Sequence, residues 1–250
     1  MLAKIEYKGQ YFSVHLNQPI DISIPMQNGL QNPNAFGISA PVFEPFKAGG
    51  FIGSVALGGS VNCENLHINA HGNGTHTECV GHISKERITI HETLQEFMFM
   101  AQLVTVELHQ VGDDHNVLLT SIKDVINNDI DALIIRTTPN DAAKLTQTYS
   151  GKNPAYLQEE LCAFLCDLGI KHLIIDLPSV DREEDGGALA AHHAFWNYPA
   201  SPRFDATITE MAYIPNQVMD GMYVLNLQIA SLQTDASPSK PVLYKISHVL

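Results

Sequence analysis

The chain has 250 residues, 45% of them hydrophobic and 16% charged, a composition that supports a sizeable buried core. Its formal net charge of −13 argues against nucleic acid or an anionic membrane as a partner. The first residues hold no apolar run of signal-peptide length, and no uncharged apolar stretch reaches ~18 residues, so a cytoplasmic protein that does not enter membranes is expected.

In chain order, residues 4–7 and 11–15 alternate as a hairpin around Lys8-Gly9-Gln10, and residues 21–26 form a short strand that ends at a proline. Residues 27–50, rich in Asn, Pro and Gly, lose periodicity and are expected as a long ordered loop. Its Phe36, Phe43 and Phe46 read first as ordinary packing and second as a wall for a substrate. Residues 51–69 suggest two strands. Thr89 with Glu92 three positions on marks a capped helix at 89–94. Strands are expected at 101–108 and 132–137, with a short helix at 121–127 between them. A longer helix is expected over 154–169, with Leu157, Leu161, Phe164, Leu165 and Leu168 as its stripe and Gly169 as its stop. A strand at 172–176 completes a strand–helix–strand unit, which predicts a parallel pair. Strands at 221–228 and 241–246 end the chain. The four cysteines Cys63, Cys79, Cys162 and Cys166 contain no Cys-x-x-Cys and fit free thiols better than a disulfide framework. No linker, repeat or low-complexity segment interrupts residues 1–250, so the expectation is one α/β (mixed α+β) domain.

One stretch carries chemistry: His71-Gly72-Asn73-Gly74-Thr75-His76-Thr77-Glu78-Cys79-Val80-Gly81-His82. Histidine and carboxylate together bind zinc, manganese or iron(II). His76 and Glu78 are two apart, so in an extended segment both face one side. Gly72, Gly74 and Gly81 are expected to supply positive φ and close approach, and Thr75 to stiffen the turn. His82, beyond the glutamate, stands where a proton carrier would sit. A His-rich surface loop is the plain alternative. Cys79 reads as a small filler rather than a nucleophile. No Gly-x-Ser-x-Gly, phosphate loop or Gly-x-Gly-x-x-Gly occurs.

The stretch resembles the His-x-Gly-Thr-His-x-Asp-x-Pro-x-His signature of the cyclase-like metal-dependent hydrolases, which include kynurenine formamidases and isatin hydrolases. Gly74-Thr75-His76 and His82 match it. Glu78 stands for its Asp and Val80 for its Pro, and His71 lies five residues before His76 where the family has four. Asp21-Ile22-Ser23-Ile24-Pro25 resembles the family's opening strand. Leu177-Pro178-Ser179-Val180-Asp181 resembles the segment that leads to its Leu-x-x-His, which places His192 there, with His193 as the alternative. Thr207-Ile208-Thr209-Glu210 resembles its apolar-apolar-Glu segment, after an inserted stretch at 197–203. Asp235-Ala236-Ser237-Pro238 resembles the turn between its last two strands.

The resemblance implies a mixed β-sheet or barrel-like core flanked by helices. It implies that His71, His76 and Glu78 hold one divalent ion and that Glu78, His192 and Glu210 hold a second if two bind. Zinc is the first expectation and manganese the second. The implied reaction is hydrolysis of a C–N amide bond in a small aryl formamide or cyclic amide, with His82 carrying the proton. The implied assembly is a homo-oligomer, dimer or tetramer. The rival is a non-catalytic protein of the same fold that binds a small ligand through its metal. A purely structural ion fits poorly, because such sites favour cysteine.

Overall fold

Residues 132–135 and 172–175 are apolar at almost every position, so a strand built from either must be buried on both faces. In the computed structural model, which describes residues 1–248, both lie at the centre of a closed barrel. The strands are β1 (Leu2–Tyr7), β2 (Gln10–His15), β3 (Ile20–Asp21), β4 (Val42–Pro45), β5 (Lys47–Ala48), β6 (Phe51–Ile52), β7 (Glu64–His67), β8 (His76–Cys79), β9 (Met98–Glu107), β10 (His109–Val111), β11 (Asp114–Val117), β12 (Ala132–Thr138), β13 (Tyr156–Leu157), β14 (His172–Ile175), β15 (Thr207–Glu210), β16 (Gly221–Ile229) and β17 (Ala236–His248). The helices are α1 (Ala70–Asn73), α2 (Ile90–Thr93), α3 (Glu159–Asp167) and α4 (Ala190–Trp196).

The barrel runs β17-β16-β9-β12-β14-β15-β8 and closes where β8 pairs with β17. Strands β9, β12, β14 and β15 are parallel, whereas β16 and β8 run antiparallel to their neighbours. The β1–β2 hairpin extends the sheet from the far part of β17. Alternate side chains sort to the two faces. Leu133, Ile135, Leu173 and Ile175 pack outward against Leu161 and Leu165 of α3 and Phe195 and Trp196 of α4. Ala132, Ile134 and Ile174 join Leu103, Leu225, Leu227 and Leu243 inside. The expected mixed α/β class and the parallel pair covered by a helix are thus present.

Several elements differ from expectation for local reasons. Residues 121–127 form turns after a 3₁₀ segment at Leu119–Ser121 rather than a helix. There Gln102 takes the Val125 carbonyl and the Asn127 amide (2.8 and 2.7 Å), and a lone short helix is costly to nucleate. The helix expected over 154–169 starts only at Glu159, because Tyr156 and Leu157 pair with β11; it does end before Gly169, which has φ 76°. The strand expected over 21–26 shrinks to Ile20–Asp21. The Asp21 carboxylate caps the Ser23 amide at 2.9 Å, and Thr75 Oγ1 takes the Ile24 amide at 2.8 Å. The loop at 27–50 includes β4 and β5, which pair with β7 and β6 as exposed ribbons. Phe43 lies opposite Leu66 on one ribbon, and Phe46 meets Phe51 at 6.1 Å, so both pack within the ribbons. Residues 236–238, expected as a turn, are the first residues of β17.

Two buried ionisable groups mark opposite ends of β14. Asp176, just past the strand, accepts from the Thr137 amide (2.9 Å) and hydroxyl (3.0 Å) and from Lys144 Nζ (2.7 Å). Burial pushes its pKa up, against the pull of Lys144 and Thr137. His172, at the other end, packs on Phe99 with ring centroids 3.9 Å apart and meets Thr207 Oγ1 at 2.9 Å through Nδ1. Burial pushes its pKa down to about 3, with Lys171 and Arg203 adding to the shift and Asp205 opposing it.

Lys144→Met strands the Asp176 carboxylate without its counter-ion and is expected to cost about 3–5 kcal/mol in urea unfolding; a loss well below this would show that Thr137 alone satisfies the carboxylate. His172 binds its proton more weakly in the folded chain, at about 3, than the ordinary value of 6.5. Its contribution to stability is therefore fully present above pH 6.5 and is lost as pH falls through about 3. His172→Gln is expected to flatten the fall of the unfolding midpoint within that window; an unchanged slope would assign the acid sensitivity to other groups.

Candidate metal centre

The site forms on the helix-covered face of the barrel. Thr77 and Cys79 of β8 point to the interior, where Thr77 Oγ1 meets Thr209 Oγ1 at 2.7 Å. The alternating His76 and Glu78 therefore face outward. β15 pairs with β8 so that Glu210 stands opposite His76 and Ile208 opposite Glu78. α4 lies over this pair and supplies His192. The Asp181 carboxylate accepts from the Ala191 and His192 amides at 2.7 and 3.1 Å, which fixes the first turn of that helix. α1, capped by Asn69, supplies His71, and the 3₁₀ turn Val80–His82 supplies His82. Thr75 holds the loop between them, donating to the Met211 carbonyl just past Glu210.

Gly72 and Gly81 act here by close approach rather than by positive φ. A Cβ on Gly81 would lie 2.0 Å from the Ile88 carbonyl oxygen, and one on Gly72 would lie 2.5 Å from Ile38 Cδ1. Gly72, Gly74 and Gly81 are not among the residues with left-handed backbone, which corrects that part of the expectation.

Each oxygen of Glu78 is faced by a histidine. His192 Nε2 donates to Oε1 at 2.9 Å, and His71 Nδ1 lies 3.1 Å from Oε2. The far nitrogen of each ring is held by an outer carboxylate: His192 Nδ1 donates to Asp181 Oδ2 at 2.6 Å, and His71 Nε2 to Asp235 Oδ2 at 2.8 Å. His76 Nδ1 donates to the Gly74 carbonyl at 3.0 Å, which leaves Nε2 aimed 3.4 Å from Glu210 Oε2. Glu210 Oε1 accepts from the Val180 amide at 2.9 Å. His82 Nδ1 lies 3.2 Å from Asp235 Oδ2 and 3.8 Å from Glu78 Oε2. The expected residues His71, His76, Glu78, His82, His192 and Glu210 thus all converge. His193 does not: it donates through Nδ1 to the Tyr198 carbonyl.

Burial alone would lower the pKa of His71, but the hydrogen bond to Asp235 and the nearby Glu78 carboxylate push it up to about 10. Burial opposed by Asp181 and Glu78 does the same for His192, also about 10. Burial would raise Glu78, yet the neighbouring His82, the hydrogen-bonded His192 and the nearby His71 hold it well below the carboxylate range. Burial pushes the Cys79 thiol up, which suits a filler and not a nucleophile.

The donor set fits a divalent cation. His76 Nε2 and Glu78 Oε2 are fully buried yet make no hydrogen bond, and His71 approaches Oε2 without hydrogen-bond geometry. Leaving such atoms unsatisfied costs ~1–3 kcal/mol each, a cost a cation between them would offset. Among the described residues, three groups bring ligand atoms within 4.8 Å of one another: His71, His76 and Glu78; Glu78, His82 and His192; and His71, His82 and Asp235. Imidazole and carboxylate without thiolate suit zinc or manganese. Sequence reading assigned no role to Asp181 or Asp235. Both lay in segments the resemblance singled out, 177–181 and 235–238, and Asp235 reaches the site because β17 pairs with β8.

Comparison with known proteins places these elements in a family. Residues 14–182 match the family described as "Putative cyclase", more than half of the chain, although the match ends before His192, Glu210 and Asp235. Kynurenine formamidase of Bacillus mycoides is 25% identical over 238 residues, covering 92% of this chain and 99% of that protein. Kynurenine formamidase of Bacillus thuringiensis (strain Al Hakam) is 27% identical over 191 residues, covering 75% and 82%. A "predicted metal-dependent hydrolase" from Bacillus stearothermophilus shares the fold with a TM-score of 0.65 at 18% identity, covering 91% of this chain and 98% of that one. Isatin hydrolase A from Labrenzia aggregata does so with a TM-score of 0.62 at 14% identity, covering 91% and 93%. The chain belongs to the cyclase family.

Proposed function

We propose that the protein is a metal-dependent hydrolase of a non-peptide C–N amide bond, acting on a small aryl formamide or cyclic amide. The observation that carries this reading is the convergence of His71, His76, His192, Glu78 and Glu210 around the unpartnered buried atoms His76 Nε2 and Glu78 Oε2. The kynurenine formamidase relatives support the bond type. In this reading His71, His76 and Glu78 hold one cation, zinc or manganese, and Glu78, His192 and Glu210 hold a second where two bind. When bound, such a cation supplies Lewis-acid chemistry, acidifying water and polarising a carbonyl.

The chain's own residues supply the proton path. Asp235 accepts the Nδ1 hydrogen bond of His82, so the neutral ring keeps its lone pair on Nε2. The His82 side chain is 29% exposed, enough to take a proton from water and return it to the departing amide nitrogen. For a formamide the products are formate and an aryl amine. A cavity of about 240 Å³ flanked by Ile68, His71, Leu232 and Asp235 opens beside the site. A larger one, about 640 Å³, lies against His172 and Arg203 and touches none of the proposed ligands. Among the described residues no helix is long and apolar enough to cross a membrane. The proposal extends to a cytoplasmic homo-oligomer, dimer or tetramer, in keeping with the family resemblance.

Elemental analysis of the purified protein is expected to find one or two zinc or manganese ions per chain, depleted in His76→Ala. His82→Ala is expected to keep its metal and to lose about 10²–10⁴-fold in the turnover of N-formylaniline. Absence of metal from the wild type, with no uptake of added zinc or manganese, would sink the mechanism. Full metal content without turnover of any aryl formamide or lactam would instead favour a binding protein.

A further inference from the structure

Asp235 differs from the other carboxylates of the site. Asp181 holds one ring; Asp235 holds two through a single oxygen, Oδ2, at 2.8 Å from His71 Nε2 and 3.2 Å from His82 Nδ1. The two rings stack with centroids 4.3 Å apart and planes at 29°. The backbone places this carboxylate in register with Glu78: the Asp235 carbonyl accepts from the Cys79 amide at 3.0 Å, and the next residue, Ala236, pairs with Glu78 itself.

A neutral imidazole has one N–H and one lone pair. In the neutral ring that cation binding requires, an acceptor at His71 Nε2 keeps the proton there and turns the Nδ1 lone pair toward Glu78. The same oxygen at His82 Nδ1 leaves the lone pair on Nε2. One side chain thus sets the ring plane and tautomer of a histidine on the cation side and of a histidine on the proton path.

We infer that Asp235 is a positioning residue that couples His71 and His82 as one unit, aligning the first for the cation and the second for proton transfer. The contact to both rings stands on geometry alone; its catalytic consequence rests on the hydrolase reading above.

The test uses the full chain with Asp235→Ala, which removes the acceptor, and Asp235→Asn, which keeps an acceptor oxygen at the same reach. Thermal midpoints check that both variants fold. In Asp235→Ala, zinc affinity by chelator competition is expected to fall about 10–100-fold, with ions per chain at saturation unchanged. The kcat for N-formylaniline is expected to fall by about the same factor with KM little moved, and Asp235→Asn to recover part of both losses. The ring N–H protons of His71 and His82, followed in protein carrying ¹⁵N-histidine, are expected far downfield in the wild type and shifted or lost in Asp235→Ala. Loss of one ion per chain at saturation would make Asp235 a ligand and overturn the inference. So would unchanged zinc affinity together with unchanged ring N–H signals. Failure of the wild type to bind zinc would refute the metal reading separately, and the ring N–H signals, which need neither metal nor substrate, would still decide the role of Asp235.

Discussion

The site depends on the closure of the barrel by β8. This four-residue strand lies between β15 and β17, and its two pairings fix everything around Glu78. The β15 ladder puts Glu210 opposite His76, and the β17 ladder puts Ala236 opposite Glu78 and Asp235 beside it. A slip of one residue in either ladder would turn His76 and Glu78 into the apolar interior. The threonine pair Thr77–Thr209 on the inner face opposes such a slip, because its hydroxyls bond only in the observed register.

The buried charge is managed in layers. Glu78 is enclosed, and an isolated carboxylate there would be costly. Four histidines surround it, and the far nitrogens of His192, His71 and His76 are held by Asp181, Asp235 and the Gly74 carbonyl. Each outer group thereby fixes the orientation of an inner one. Asp176 and Lys144 form a separate buried pair at the end of β14, just before the loop that carries Val180 and Asp181.

Much of this was legible in the sequence, where chemistry and spacing were local. The two-residue step from His76 to Glu78 placed both on one face, and the apolar runs at 132–135 and 172–175 required the centre of a sheet. The family resemblance pointed to His192 and Glu210, which the structure brings to within 3.8 Å of each other. What stayed hidden depended on long-range pairing or on side chains capturing backbone. The resemblance marked the segment of Asp235 as a turn, but gave no sign that its carboxylate meets His71, 164 positions away. The apolar spacing at 121–127 resembled a helix until Gln102, from a neighbouring strand, took its backbone groups. At Gly81 and Gly72 the expected close approach holds, against Ile88 and Ile38, and the expected positive φ does not.

The hairpin outside the barrel has a consequence for solution behaviour. β1 is the outermost strand of the main sheet, so among the described residues one row of its amide and carbonyl groups has no partner strand. Such an edge can template pairing with another chain. Its exposed positions Lys4 and Glu6 place opposite charges along that edge, and Lys4 Nζ rests over the Tyr11 ring at 4.6 Å. A strand approaching in ribbon fashion would have to desolvate both charges. The border of the sheet is thus guarded against edge-to-edge pairing, while β8, whose register the site requires, is bordered on both sides.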